Sequence, residues 1–476
     1  MGPLMTLVAL GWATALVAGA KAVHRHLGLL RRLYIPSSVL AGVVALLIGP
    51  QVLGALATRL GGPEAIANGV LPAGVIEVWE GLPGLLINVV FAALFLGKTI
   101  PAPREIVRLA GPQVALGQTL AWGQYVVGIG LALLVLGPVF GMDPMAGALI
   151  EIGLEGGHGT AAALSETFEE FGFSEGADLA LGLATIGLVG GVLSGIAIIN
   201  WAARSGRLDL EADPGRDDDR ADRMCEFDER EADAAAAAEE DADPLSAHLG
   251  LIALAIALGW MLQQGLVAVE SVTWARDGGL ELMRHLPLFP LAMIGGLLLQ
   301  LALDRIGDAG PHVDRSLVNR ISGASLDIII VAAIGTLSLT VLGDNIGPLL
   351  LMAGAGMVWS IGAFLLLAPR MVRDYPYQRG LADFGQSTGM TVTGLLLVRM
   401  ADPANRANAM ESFGYKQLLF EPFVGGGLFT ALSVPLIAQL GPWPVLGITS
   451  VLLAAFLALG LLYFGRQPGG TSERSR

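Results

Sequence analysis

Cysteine is nearly absent from this 476-residue chain: the single copy, Cys225, lies in its most polar segment. One thiol excludes a disulfide framework and a thiolate metal site built within one chain. Charge is also scarce, at 15% of residues, against roughly 25% in soluble globular proteins. That deficit points toward lipid. No Walker loop appears, so ATP-driven work is not indicated, and the lone His158 lacks the partner spacing of a zinc site. Nothing here supports soluble enzymology, and neither a cofactor nor a nucleic-acid partner is expected. The net charge of −14 is local, because residues 208–244 hold 16 Asp/Glu against 4 Arg. This acidic stretch reads as a solvated, partly disordered cytoplasmic linker between two halves.

What is abundant is apolar sequence, 54% hydrophobic with 65 glycines. A spanning helix needs about 20 apolar residues. Candidates are 4–21, 34–55, 82–98, 113–140, 178–201, 247–268, 286–303, 324–342, 346–368, 419–440 and 442–464, about 11 spans. The first lacks the preceding positive charge of a signal peptide; its basic residues, Lys21, Arg25, Arg31 and Arg32, follow it. Two further apolar stretches, 145–170 and 381–400, are studded with Gly, Thr, Ser and carboxylates. If both dip in and return, the basic clusters at 21–32, 98–108, 204–230, 305–320, 370–379, 399–416 and the tail from Arg466 fall on one side. Only Arg59, Arg276 and Arg284 then face the other, against 25 cytoplasmic Lys/Arg. The positive-inside bias therefore favours re-entrant hairpins, an outside N-terminus and a cytoplasmic C-terminus.

The fold class expected is an all-α polytopic membrane protein with two inverted five-helix repeats, each carrying a hairpin. Residues 1–207 form the first repeat with hairpin 145–170, and 208–244 the linker. Residues 245–440 form the second repeat with hairpin 381–400, and 441–476 an extra helix and tail. Inverted repeats of this kind suit alternating access in secondary transporters. The halves show faint likeness: Gly156 and Thr160 lie over Gly389 and Thr393, and Asn88 over Asp327.

Irregular backbone at membrane depth persists only where protein or a wet cavity satisfies it. Gly156, Gly157, His158, Gly159 and Thr160 are too Gly-rich for a regular helix, and Gln386, Ser387, Thr388, Gly389, Thr391 and Thr393 offer similar groups. Freed N–H groups suit carboxylates, whereas freed carbonyls and Thr hydroxyls suit Na⁺. The substrate-binding candidates are thus Gly156, Gly157, His158, Gly159, Thr160, Gly389, Thr391 and Thr393. Glu151 and Glu155, spaced i,i+4, would repel unless a cation or a proton joins them. With Asp327, Asn88 and Thr388 they are the ion-binding candidates, Na⁺ lying at the hairpins. Ordinary helix packing by Gly and Thr is the plainer alternative. Asp383 and Glu421, near helix ends, are expected at the interface.

The run Gly141–Met145 through Glu155-Gly156-Gly157-His158-Gly159-Thr160 to Gly182–Val189 resembles the bacterial sodium/glutamate symporter family, as do Tyr34-Ile35-Pro36 and the Gly389–Thr393 segment. The resemblance covers most of 1–440. It implies inverted repeats with re-entrant hairpins, a homodimer in the cytoplasmic membrane, and Na⁺-coupled uptake of glutamate by an elevator motion. Na⁺ and the amino acid would lie against Gly156–Thr160 and Gly389–Thr393. This chain departs from the pattern in having Glu151 and Glu155 where small hydroxyl residues are expected. It has Thr391-Val392-Thr393 in place of Thr-Pro-Thr, and it adds the span 442–464. Extra carboxylates near a site for an acidic solute leave a second reading, a cation- or proton-coupled transporter or antiporter of a different small solute.

Overall fold

The computed structural model describes residues 3–26, 36–60, 69–98, 100, 103–208, 245–276, 281–306, 313–402 and 406–466. The acidic stretch at 209–244, Tyr34, Ile35 and the tail beyond Arg466 lie outside them. The described residues are helical, with no strand. Besides the short helices Ala55–Arg59 and Gly137–Phe140, the helices in chain order are α1 (Pro3–His26), α2 (Ser37–Ile48), α3 (Ala73–Ala92), α4 (Pro103–Leu131), α5 (Leu149–Leu154), α6 (Gly157–Ala163), α7 (Ser165–Glu170) and α8 (Gly176–Arg204). There follow α9 (Leu245–Val272), α10 (Leu288–Ile306), α11 (Arg315–Gly335), α12 (Leu339–Asp344), α13 (Ile346–Met371), α14 (Pro376–Ala401), α15 (Ala409–Phe420), α16 (Leu428–Leu440) and α17 (Pro442–Ala458).

Ten helices among the described residues are long and apolar enough to cross a membrane, which makes this an all-α polytopic membrane protein. The eleventh expected span, 419–440, is interrupted. Pro422 and the run Gly425-Gly426-Gly427 end regular structure after α15, Gly425 and Gly426 having φ of 70° and 102°. Only the 13 residues of α16 follow. Two other spans begin about nine residues earlier than apolarity predicts. Glu77 and Glu80 in α3, and Arg315 and Arg320 in α11, lie inside the helices.

The chain forms two compact units. The first gathers Met1–Thr99, Leu210–Leu266 and Leu288–Thr336. It is held by small residues that let backbones approach, the usual means of close packing where lipid removes the hydrophobic drive. A β-carbon on Gly42 would lie 2.8 Å from Ile334 Cβ, and one on Gly295 only 2.1 Å from Ala255 O. Trp79, fully buried, donates from Nε1 to Ala9 O at 3.0 Å. Arg315 donates to Ala93 O and Leu96 O at 2.8 and 2.7 Å, satisfying carbonyls left open at the end of α3.

The second unit comprises Ile100–Asp209, Val267–Pro287 and Leu337–Arg476. Here α8 packs its glycines against the broken segments: a β-carbon on Gly187 would meet Thr388 O at 2.4 Å, and one on Gly191 would meet Thr388 Oγ1 at 2.5 Å. Bulk at either position would push the second broken segment away.

Candidate functional site

Two helix breaks meet inside the second unit. The first separates α5 from α6 at Glu155 and Gly156, and Gly157 then takes φ of 72°. The second interrupts α14, where Gly389 has φ −159°, ψ 32° and Met390 φ 74°, ψ 170°. The chain turns back at that point. A β-carbon on Gly385 would lie 2.6 Å from Gly394 Cα, and one on Gly394 2.3 Å from Ala382 O. On one continuous helix residues nine apart stand roughly 13 Å apart, so the two arms of α14 lie side by side. The breaks touch each other as well: a β-carbon on Gly157 would sit 2.3 Å from Met390 Cγ and Sδ. Only glycine fits there, since a side chain would face both a left-handed backbone and an occupied space.

Polar side chains converge around this contact. Glu151 is fully buried; its Oε2 accepts from the Tyr125 hydroxyl at 2.5 Å, and its Oε1 from Gly425 N at 2.8 Å and Thr430 Oγ1 at 2.9 Å. Three neutral donors thus hold this carboxylate. Glu155, 3% exposed, is placed differently: neither of its oxygens has a hydrogen-bond partner. Gly425 forms a wall beside it, a β-carbon there lying 3.7 Å from both Glu155 Cγ and Gln386 Nε2. Lys416 and Asp383 are enclosed nearby, Nζ to Oδ1 3.2 Å apart, and Lys416 donates to Gln386 Oε1 at 2.5 Å. Four carboxyl groups, Glu151, Glu155, Asp383 and Glu421, are thus buried in this unit with one lysine ammonium, which pairs with Asp383. Charge taken from water at this scale is costly unless paired, so the arrangement is suited to receiving a cation at Glu155.

His158 lies on the same segment, fully buried, with Nε2 3.0 Å from Thr185 Oγ1. The Thr185 hydroxyl donates its hydrogen to Leu181 O at 3.0 Å. The hydrogen between Thr185 and His158 therefore belongs to Nε2, and Nδ1 is a buried acceptor without a donor. Thr393 donates to Gly389 O at 2.5 Å and Thr388 to Phe384 O at 2.9 Å, bracing the break. Thr391 accepts from Gln417 Nε2 at 3.0 Å and donates to Glu421 Oε1 at 3.4 Å. Thr160 is 2% exposed; with Gly157, His158 and Gly159 it lies in the helix α6 rather than in the irregular backbone expected, so the first break is confined to Glu155–Gly157.

The structure thus gathers Glu151, Glu155, Gly156–Thr160, Thr388, Gly389, Thr391 and Thr393 in one unit. Asn88 and Asp327 lie in the other. Asn88 Nδ2 donates to Gly84 O at 2.8 Å, and Asp327 pairs with Lys21 at 3.2 Å with its side chain 27% exposed. Asp383 and Glu421, expected at the interface, are 1% and 9% exposed instead, because the second broken segment and the α15–α16 interruption turn them inward. Sequence reading missed Lys416, counting it in the cytoplasmic cluster 399–416. A lysine between Phe413 and Phe420 on an apolar helix was the available signal. Tyr125, Gly425 and Thr430 carried none, since their role depends on contacts distant in sequence.

Ten helices among the described residues long and apolar enough to cross a membrane, together with a buried polar cluster in the second unit where two interrupted segments touch, define a polytopic membrane protein. The family described as sodium/glutamate symporter matches residues 4–377, and the chain belongs to that family. The family is named for symport, not for catalysis. The sodium/glutamate symporters of Escherichia coli K12 and Shigella flexneri are each 33% identical over 175 residues, 33% of this chain and 42% of theirs. That of Haemophilus influenzae is 29% identical over 150 residues, 28% of this chain and 35% of its own. The chain thus matches less than half the length of these curated relatives. The second break and Lys416 lie beyond the stretch that the family matches.

Proposed function

We propose that the protein is a Na⁺-coupled symporter of glutamate or a closely related acidic amino acid in the cytoplasmic membrane. The observation that carries this reading is the contact of Gly157 with Met390 inside a buried polar cluster. Two interrupted segments there bring buried side-chain groups without hydrogen-bond partners, Glu155 and His158 Nδ1, to one place, and broken helices are where secondary transporters hold ions and solutes. Both segments are taken as re-entrant hairpins of an inverted repeat. Gly156–Thr160, with His158 Nδ1, and Gly389–Thr393 would contact the solute, its ammonium suiting the open acceptor on His158. Glu151, Glu155 and Thr388 would serve the cation. Asn88 and Asp327 are left out of this site because both lie in the first unit.

The division into two units supports an elevator, in which the second unit carries the site and the first forms the scaffold of a homodimer. The N-terminus would lie outside, and the acidic stretch and C-terminus in the cytoplasm. Uptake of labelled glutamate into proteoliposomes tests the proposal. An inward Na⁺ gradient should drive accumulation that a Na⁺ ionophore abolishes. Equal uptake in Na⁺ and K⁺ would reject the coupling.

A second reading is favoured by Glu155, whose unpartnered carboxyl suits a cation-coupled or proton-coupled carrier of a different solute. Under it, a Glu151→Gln, Glu155→Gln protein would bind no acidic amino acid differently from wild type, yet would lose transport of the true solute.

A further inference from the structure

Lys416 has the surroundings of a bound monovalent cation. Its ammonium is fully enclosed and is the one buried lysine or arginine head among the described residues. It lies 3.2 Å from Asp383 Oδ1, donates to Gln386 Oε1 at 2.5 Å, and stands 3.4 Å from the ring centre of Phe420. The ring of Phe413 is 5.2 Å away. A carboxylate oxygen, an amide carbonyl and an aromatic face are groups that also hold a dehydrated alkali cation. Room for the stem comes from α4, where a β-carbon on Gly117 would lie 2.6 Å from Lys416 Cε. Nothing in this cage is left for a solute anion, because Asp383, Gln386 and the two rings surround the head.

We propose that Lys416 is a tethered cation. Its ammonium fills a monovalent-cation site formed by Asp383, Gln386 and Phe420, and so limits how many mobile cations the cluster takes. The proposal deepens the cation-coupled reading and rests on it. The charge balance supplies the physical reason. Glu151 is held by three neutral donors and Glu155 by none, whereas Asp383 faces the Lys416 ammonium at 3.2 Å. Removing one partner of a buried pair leaves an uncompensated charge, which destabilises far more than removing both. With the ammonium gone, a free cation of similar radius can enter the vacated position and restore the balance.

Thermal unfolding of the purified full chain tests this in NaCl, KCl and N-methyl-glucamine chloride at equal ionic strength. Wild type, Lys416→Met and Lys416→Met, Asp383→Asn are compared. Wild type reports the response of the rest of the cluster, Glu155 included. Lys416→Met should gain a further rise in Tm of ~2 °C or more in Na⁺ or K⁺ over N-methyl-glucamine, as expected for a newly filled site. The double variant should lose that gain. Equal cation responses in wild type and Lys416→Met overturn the proposal, as does a response to pH alone. Failure to recover Lys416→Met in every salt also overturns it, since a free cation then cannot replace the ammonium. A wild type indifferent to Na⁺ would count against sodium coupling, while the difference between variants would still decide the role of Lys416.

Discussion

Replacing Gly157 with alanine perturbs the contact between the two breaks with a single methyl group. Alanine at φ 72° costs ~1–2 kcal/mol for the left-handed backbone alone. The new carbon would stand 2.3 Å from Met390 Cγ and Sδ, well inside the ~3.5–4.0 Å of ordinary contact. The clash falls on Cγ and Sδ, with Cβ at an ordinary 3.7 Å, so Met390 must leave its rotamer to relieve it, and repacking the buried contact adds ~1–3 kcal/mol. Met390 itself holds φ 74°, ψ 170°, a region that glycine occupies at little cost. Met390→Gly should thus remove both the obstacle and some strain. The assay is a double-mutant cycle on Tm and on Na⁺-dependent glutamate uptake. Gly157→Ala alone should lower both, and Gly157→Ala, Met390→Gly should recover part of the loss, with a coupling of at least ~1 kcal/mol. Strictly additive effects, or a harmless Gly157→Ala, would refute the contact.

Three other outcomes are expected. Tyr125→Phe strips Glu151 Oε2 of its donor, which costs ~1–3 kcal/mol in a buried setting and should lower Tm; an unchanged Tm would remove Tyr125 from the network. Asp327→Asn breaks only a partly exposed pair with Lys21, so stability should change by less than ~1 kcal/mol while the Na⁺ dependence of uptake persists; loss of that dependence would return Asp327 to the ion site. Cysteines at Gly141 and Gly172, in a chain lacking Cys225, should be labelled from the same side of the membrane, and labelling from opposite sides would contradict a re-entrant first segment.

Ten spans were legible because a membrane-crossing helix needs only a long apolar run, and these runs are uninterrupted. The starts of α3 and α11 were less so. Arg315 lies within α11 because carbonyls at the end of α3 receive its guanidinium, a contact between residues more than two hundred positions apart. The second break could be placed from Gly389, but the first is shorter than its glycines suggested: it is confined to Glu155–Gly157, and His158, Gly159 and Thr160 continue in the regular helix α6. The interruption at Gly425–Gly427 was overlooked inside an otherwise apolar stretch. Lys416 was misplaced for a physical reason: charge-bias arguments treat every lysine as solvated, and this one has its water replaced by Asp383, Gln386 and two aromatic rings. Asn88 and Asp327, which the sequence lays over each other, fall together in the unit that lacks the breaks.

The most direct test of the solute site uses Met390→Cys in a Cys225→Ser background, with a small thiol reagent timed against the purified protein. If the meeting of the two breaks holds the solute, glutamate together with Na⁺ will slow modification at position 390, and neither will do so alone. Modification at one unvarying rate, whatever amino acid or cation is present, would place the solute elsewhere.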